Sequence, residues 1–472
     1  MRLHLLSAAV LAALAGSAQA AEPLSVEERL KAMEARISAL ETEAKHWQTK
    51  ATNAMAEAKA AKAEAAAAKA NAATAQAVAT SAQSTAVSAQ TVASSAQSAA
   101  DNAAQSVAAA PAGDSGSGNA NAFNPALSVI LNGTYAHTQR DPADYAIDGF
   151  HVGEESGPLD RGLSLGETEI ALSANVDDKF YGQVTAAIES EDGEDHLGIE
   201  EAYLDTTALP DGFTARVGRF FSNIGYLNSH HAHTDSFVDR PLVYQTLLDT
   251  QYGDDGVQLR WVAPTDLYLE VGGELFRGQN YPSGGARHDG VGVHTAFVHL
   301  GGDVGESNSW LAGLSVLDSK TEGADDGFSG DQKLYIGDFT WKWAPNGNSK
   351  AGGLTFRSEY FLDDRDGEFT DEDGITSPWD GKRRGAYAET VYRFNPTWEA
   401  GYRYDKLWAD DSGPVASDYD PRRHSLMLDW KNSEFSLVRL QYNRDEAQDG
   451  LYDNQWYLQY QATFGAHGAH KF

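Results

Sequence analysis

The sequence contains no cysteine among its 472 residues. This absence excludes disulfide scaffolds, zinc sites built on cysteine and thiol catalysis. Basic residues are also scarce, because 36 Lys and Arg stand against 68 Asp and Glu and leave a formal net charge of −32. Such a chain lacks the basic surface that neutralises phosphate groups, so we expect no nucleic-acid partner.

Long apolar runs are missing after the first twenty residues, and the sequence therefore predicts no transmembrane helix. A membrane barrel stays possible, because its strands alternate apolar and polar residues and average out as polar. Residues 1–20 combine Arg2, an apolar stretch from Leu5 to Leu14 and a small-residue ending at Ala20. This pattern predicts a signal peptide cleaved after Ala20, with an uncleaved N-terminal anchor as the alternative.

Residues 21–110 are rich in alanine and repeat every seven positions. The seam begins at Leu30, Met33 and Ile37 and continues mostly as alanine, and the triplet Ser-Ala-Gln recurs at 81, 88 and 95. A seven-residue period predicts a left-handed coiled coil, and its small buried area favours association of several copies. Over residues 30–110 such a helix would extend roughly 120 Å, which suits a periplasmic stalk that contacts peptidoglycan. The alternative is an alanine-rich spacer.

Residues 111–123 predict a flexible linker, and residues 124–472 follow a period of two. In one clear example, Tyr335 and Phe339 alternate with Asp338 and Lys342. Short turns alternate with long, acidic, glycine-rich loops, giving seven turns and eight loops. We therefore predict an all-β fold, a 16-stranded antiparallel transmembrane β-barrel, preceded by an α-helical coiled coil. The predicted strands are 125–136, 164–176, 180–190, 198–207, 213–220, 254–263, 267–276, 289–300, 308–318, 332–344, 353–362, 384–394, 398–408, 422–431, 434–443 and 454–472.

The last predicted strand carries Trp456, Leu458, Tyr460 and Phe464 on one face and ends at Phe472. It resembles the closing strand of bacterial outer-membrane barrels. This resemblance implies that Phe472 is the signal read by the barrel-assembly machinery.

A family resemblance rests on residues 215–220, Ala-Arg-Val-Gly-Arg-Phe, followed by a long loop with residues 237–242, Phe-Val-Asp-Arg-Pro-Leu. These segments are similar to the strand and constriction loop of phosphate-selective outer-membrane porins. The N-terminal extension resembles the periplasmic stalk of sugar-specific porins. The resemblance implies a homotrimer in the outer membrane, with the stalk in the periplasm. The acidic loops would lie among lipopolysaccharide and its divalent ions.

Polar and apolar residues alternate along each predicted strand, and this alternation predicts which charged side chains line the lumen. Twelve acids against seven bases predict a cation preference, since charged rings set the barrier for ions in a pore. A phosphate-selective porin would need a basic constriction, so phosphate specificity is not carried over. The predicted acids are Glu169, Glu189, Glu201, Asp205, Glu270, Glu274, Asp338, Glu359, Glu389, Glu399, Asp405 and Asp429, and the bases are Arg216, Arg260, Lys342, Arg357, Arg393, Arg403 and Arg439.

The third loop, about 221–253, is the longest, and the resemblance implies that it folds inward and narrows the pore. Its constriction candidates are His230, His231, His233, Asp235, Asp239 and Arg240. Imidazole and carboxylate groups suit zinc or a similar divalent metal, so the three histidines are candidate ligands. The alternative is a polar loop tip with solvated histidines. Alternation along its strand predicts that His294 also faces the lumen, which supports the metal interpretation.

No enzyme is predicted. Residues 162–166, Gly-Leu-Ser-Leu-Gly, match a nucleophile elbow but open a strand and lack the strand-turn-helix context. The predicted function is diffusion of small hydrophilic solutes or ions through a porin that requires no cofactor. The alternatives are a zinc-type metal-binding uptake protein and a barrel-anchored cell-wall tether.

Overall fold

The computed structural model describes residues 125–153, 155–191, 194–284, 290–322, 326–371, 374–410 and 416–465, with seven single positions between 31 and 69. The chain divides into two units, Met1–Ser117 and Gly118–Phe472. In the first unit the seven positions are helical and exposed, but the predicted seam residues are outside the described part, so the coiled coil stays a prediction. The signal peptide, the linker and Phe472 are also outside it. No helix among the described residues is long and apolar enough to cross a bilayer.

The second unit contains seventeen strands in one antiparallel sheet. Strands β2 and β3 both pair with β1 and form two halves of one interrupted barrel position, so the described strands occupy sixteen positions. The strands are β1 Ala126–Thr138, β2 Gly162–Leu165, β3 Thr168–Asn175, β4 Phe180–Glu191, β5 Glu194–Thr206, β6 Phe213–Phe221, β7 Gly253–Val262, β8 Tyr268–Phe276, β9 Val293–Val304, β10 Asn308–Glu322, β11 Phe328–Trp343, β12 Gly353–Thr370, β13 Thr376–Asn395, β14 Trp398–Trp408, β15 Arg422–Ser433, β16 Ser436–Glu446 and β17 Asp453–Gly465.

The sheet closes on itself. Apart from β2 and β3, which share one position, each strand pairs with the next along the chain, and β17 pairs with β1 from Ser128 opposite Gly465 to Thr138 opposite Gln455. Closure leaves no edge strand with unpaired backbone groups. The predicted 16-stranded antiparallel barrel is therefore confirmed.

The prediction that residues 363–383 form a loop between two strands is wrong. Strands β12 and β13 stay paired until Thr370 faces Thr376, so only 371–375 connect them. The segment looks like a loop in sequence because it is highly charged. Asp363, Arg365 and Arg383 are instead buried inside the barrel, where Asp363 accepts hydrogen bonds from Arg365 at 3.0 Å and Arg383 at 2.9 Å. Asp366, Glu368 and Lys382 are exposed.

The two faces of the barrel wall differ in polarity. Leu440 on β16 and Tyr402 on β14 are each 44% exposed on the outer face, whereas the neighbouring Arg439 and Arg403 are buried inside. An apolar outer face with a polar inner face is the arrangement of barrels that sit in lipid.

The barrel interior also holds an apolar core at the end that carries the long loops. Helix α1 (Leu242–Leu247), within the third loop, buries every one of its side chains. It packs with wall residues such as Phe276 and Phe361 and with Ile147 and Phe150 of the first loop. Burial of this apolar surface stabilises the loop inside the barrel.

Candidate functional site: the third loop inside the barrel

The third loop runs from Ser222 to Tyr252, between β6 and β7, and lies inside the barrel. Its irregular backbone leaves amide groups that need partners when they are buried. Wall carboxylates supply them: Glu274 accepts from Asn223 N at 2.9 Å, and Glu359 accepts from Tyr226 N at 2.9 Å and Leu227 N at 3.2 Å. The predicted lumen acids Glu274 and Glu359 therefore hold the start of the loop.

Glu359 also accepts hydrogen bonds from two tyrosine hydroxyl groups. The hydroxyl of Tyr244 on α1 donates to Glu359 at 2.9 Å, and that of Tyr387 on β13 donates at 2.7 Å. The carboxylate of Glu359 thus attaches both the start of the third loop and helix α1 to strand β12.

Asp239 forms the second attachment of the loop, to the nearby wall strands β14, β15 and β16. Arg403 donates to its carboxylate at 3.0 Å and Arg423 at 2.6 Å, and both arginine side chains are 1% exposed. Gln441 donates at 2.6 Å and Asn443 at 2.9 Å. Burial alone would raise the pKa of Asp239, but the charges of Arg403 and Arg423 lower it below its ordinary value.

Asp235 and Arg240 brace the loop internally. Arg240 Nε lies 2.7 Å from Asp235 Oδ2, and the guanidinium also donates to the carbonyl oxygens of Leu227 at 3.1 Å and His230 at 2.6 Å. The predicted constriction residues Asp235, Asp239 and Arg240 therefore occupy ion pairs that hold the loop in shape.

His231 and His233 converge on Glu169 of β3. His233 Nδ1 lies 2.5 Å from Glu169 Oε1, and His231 Nδ1 lies 3.2 Å from Glu169 Oε2. The other ring nitrogen of His231, Nε2, lies 3.0 Å from Glu201 Oε2. His230 is apart from this group, since its ring stacks on Tyr226 with centroids 4.6 Å apart and its Nδ1 is 2.7 Å from the Tyr226 carbonyl oxygen.

Two irregularities in the wall bring further carboxylates to the histidines. Opposite the step from Thr185 to Ala186, β5 carries Glu200 as an extra residue, so Glu200 and Glu201 both reach the interior. The break between β2 and β3 contains Glu167, which adds another partly buried carboxyl beside Glu200. Neither Glu167 nor Glu200 is predicted from sequence, because strict alternation puts only Glu201 inside.

These carboxylates change the acidity of His231. Burial by itself would lower its pKa, but hydrogen bonds to Glu200 and Glu201 and the charge of Glu169 raise it well above the ordinary value. We name Glu167, Glu169, Glu200, Glu201, His231 and His233 the His–Glu cluster.

Most other predicted lumen residues form ion pairs across neighbouring strands. Arg216 binds Asp205 at 2.7 Å, Arg439 binds Asp429 at 2.9 Å, and Arg260 lies 3.6 Å from Glu270. The remaining pairs are Arg357 with Glu389, Arg393 with Glu399 and, within β14, Arg403 with Asp405. Asp338 is buried inside, and Lys342 lines the vestibule described below. The side chain of Glu189 is outside the described part.

The lumen assignment of His294 is wrong. On β9 the residues Val293, Thr295 and Phe297 are buried, while His294 is exposed on the outer face. The inward histidine of this strand is His299, whose Nδ1 lies 3.2 Å from Glu270 Oε2. A shift of one residue reverses the face of a strand residue.

Two cavities meet the third loop. A vestibule of about 1130 Å³ occupies the end of the barrel that carries the short turns, and Tyr226, His230, His233 and Asp235 of the loop line it. A second cavity of about 220 Å³ lies beside Glu169, Glu201, His231 and His233. The His–Glu cluster is therefore reachable through space inside the barrel.

No family model matches the chain. Similar solved structures include the outer membrane channel DcaP of Acinetobacter baumannii (14% identity, TM-score 0.49, covering 72% of this chain and 97% of that one). An anion-selective porin of Comamonas acidovorans has 11% identity and a TM-score of 0.48, covering 72% and 99%.

An uncharacterised protein of Aquifex aeolicus is 31% identical over 387 residues, which cover 74% of this chain and 80% of that protein. The chain belongs to the same family as this Aquifex aeolicus protein.

Proposed function

We propose that the protein is an outer-membrane porin for small hydrophilic solutes or ions. The observation that carries the proposal is a closed barrel whose outer face is apolar and whose charged interior is narrowed by its own third loop. An exposed apolar band on a closed barrel is stable in a bilayer, since no backbone group is left unpaired in lipid. The fold then provides a passage without any covalent chemistry.

The attachment of the third loop supports a fixed constriction. Glu359 and Asp239 hold the loop at two points, and α1 is packed into the apolar core. A loop with so many buried partners does not open easily, so the pore width is set by the folded structure. Large solutes would be excluded, and water, ions and small polar molecules would pass.

The ion preference that we propose is for cations. It is supported by the excess of inward acids, to which Glu167 and Glu200 add two carboxyls that strict alternation does not place inside. We also propose a homotrimer, contacts with lipopolysaccharide at the acidic loops, insertion by the barrel-assembly machinery and a periplasmic stalk. The tether alternative predicts that removal of residues 30–110 abolishes cell-wall association and leaves permeability unchanged.

A planar bilayer with a KCl gradient tests the porin proposal. We expect stable conductance steps, in groups of three for a trimer, and a reversal potential of the sign that cation preference requires. Acidic residues that line the vestibule should contribute to the cation preference. The double variant Glu306→Gln, Glu434→Gln should therefore move the reversal potential towards zero. Exchange of the exposed Glu368 for Gln is the matched control.

An anion preference would contradict the charge argument while leaving the porin function in place. Absence of conductance from a folded, inserted barrel would contradict the porin function itself.

A further inference from the structure

We propose that the His–Glu cluster is a divalent metal site, with His231, His233 and Glu169 as ligands and Zn²⁺ as the preferred ion. The ligands come from two separate elements, the third loop and β3, and Glu200 and Glu201 of β5 lie beside them. A bound ion would fasten the third loop to a part of the wall that Glu359 and Asp239 do not reach.

The distances between donor atoms fit a tetrahedral ion. Two donors bound about 2.1 Å from one Zn²⁺ ion lie about 3.4 Å apart. His231 Nδ1 is already 3.2 Å from Glu169 Oε2 and 3.4 Å from Glu200 Oε2. Donor atoms of Glu169, His231 and His233 all lie within 4.8 Å of one another. His233 Nδ1 and Glu169 Oε1 lie 2.5 Å apart, closer than two ligand atoms of one ion, so metal binding would replace the contact between them and move the two atoms apart.

The charge of the cluster also favours a cation. Glu167, Glu169, Glu200 and Glu201 are packed together inside the barrel, where like charges repel strongly. Among the described residues, the ion pairs of Glu169 and Glu200 all come from histidine. A divalent ion would neutralise two of these charges at the point where they converge.

The surroundings of His231 match those of a metal-bound histidine. Its Nδ1 faces the proposed ion, and its Nε2 lies 3.0 Å from Glu201 Oε2. A carboxylate that binds the remote N–H of a ligating histidine fixes the ring and increases its basicity. Glu201 is therefore a positioning residue, and the bulge on β5 explains why two consecutive glutamates can serve the same site.

The test is direct titration of Zn²⁺ into the full-length protein in detergent, with calorimetry and metal analysis as readouts. Wild type should bind one Zn²⁺ per chain, and His231→Ala, His233→Ala and Glu169→Gln should each abolish stoichiometric binding. Glu201→Gln should bind Zn²⁺ about 10–100-fold more weakly. His230→Ala is the matched control and should bind like wild type, because His230 faces Tyr226 instead.

Heat-modifiable gel mobility separates loss of binding from loss of folding, and Glu169→Gln preserves the shape of the side chain if a histidine variant fails to fold. The proposal is overturned if wild type binds no Zn²⁺, if Glu169→Gln retains it, or if His230→Ala loses it. Preference for Mg²⁺ or Ca²⁺ over Zn²⁺ would overturn it too, since imidazole ligands favour the later transition metals. None of these readouts measures transport, so the porin proposal does not depend on them.

Discussion

Replacing Asp239 with alanine is expected to lower the free energy of unfolding by about 3–5 kcal/mol, the usual effect of removing one partner from a buried ion pair. Arg403 and Arg423, each 1% exposed, would keep their charges without the carboxylate between them. Gln441 and Asn443 would lose an acceptor as well. Denaturant unfolding of the protein in lipid vesicles measures the change.

The matched control is Asp318→Ala. Asp318 pairs with Lys333 at 3.8 Å, but both side chains are about half exposed. An exposed pair of this kind contributes about 0–1 kcal/mol. Equal effects of the two variants would show that the Asp239 carboxylate does not anchor the loop. Detachment of the loop in the Asp239 variant should also raise the single-channel conductance.

The lowered pKa of Asp239 gives this anchor a pH dependence. Its pKa is lower in the folded than in the unfolded protein, so its contribution to stability is complete above the ordinary aspartate value of about 3.9. The contribution disappears as the pH falls through the folded pKa. The stability difference between wild type and Asp239→Ala should therefore be constant between pH 5 and 7 and decrease only in stronger acid.

Replacing Leu440 with arginine is expected to destabilise the membrane-inserted barrel by about 2–4 kcal/mol, the effect of a basic side chain facing the bilayer midplane. Leu440 lies in the middle of β16 and is 44% exposed on the outer face. Its mutation disturbs neither Arg439 nor Gln441, which face the interior. Unfolding in lipid vesicles again provides the measurement.

Ile375→Arg is the control for a new charge outside the membrane. Ile375 is exposed in the short connection between β12 and β13, and its replacement should change stability by less than about 0.5 kcal/mol. If Leu440→Arg is as well tolerated as Ile375→Arg, the outer face of β16 does not contact lipid.

The barrel can be predicted from sequence because alternation and turn spacing repeat many times along the chain. An error within one strand, such as predicting that His294 instead of His299 faces the lumen, does not change the overall pattern. The inward position of Glu200 cannot be predicted in this way, because a bulge breaks the period of two that the prediction assumes.

The apolar core inside the barrel also escapes sequence analysis. Phe361 lies on the same face of β12 as Glu359 and Asp363, so alternation assigns it to a polar interior. Its partner Tyr244 is more than a hundred residues away in the chain and lies on a loop whose path alternation does not define. The histidines of the third loop can be identified from the sequence. The wall residues that contact them cannot, because those contacts depend on the path of the loop.

The position of the third loop couples its docking to closure of the barrel. Strands β17 and β1 join the two ends of the sheet and close a ring around Leu242–Leu247. The loop has buried partners on the surrounding wall, so its contacts and the closed ring stabilise each other during folding. Mutations in its apolar residues should slow biogenesis of the barrel, in addition to any effect on the finished protein.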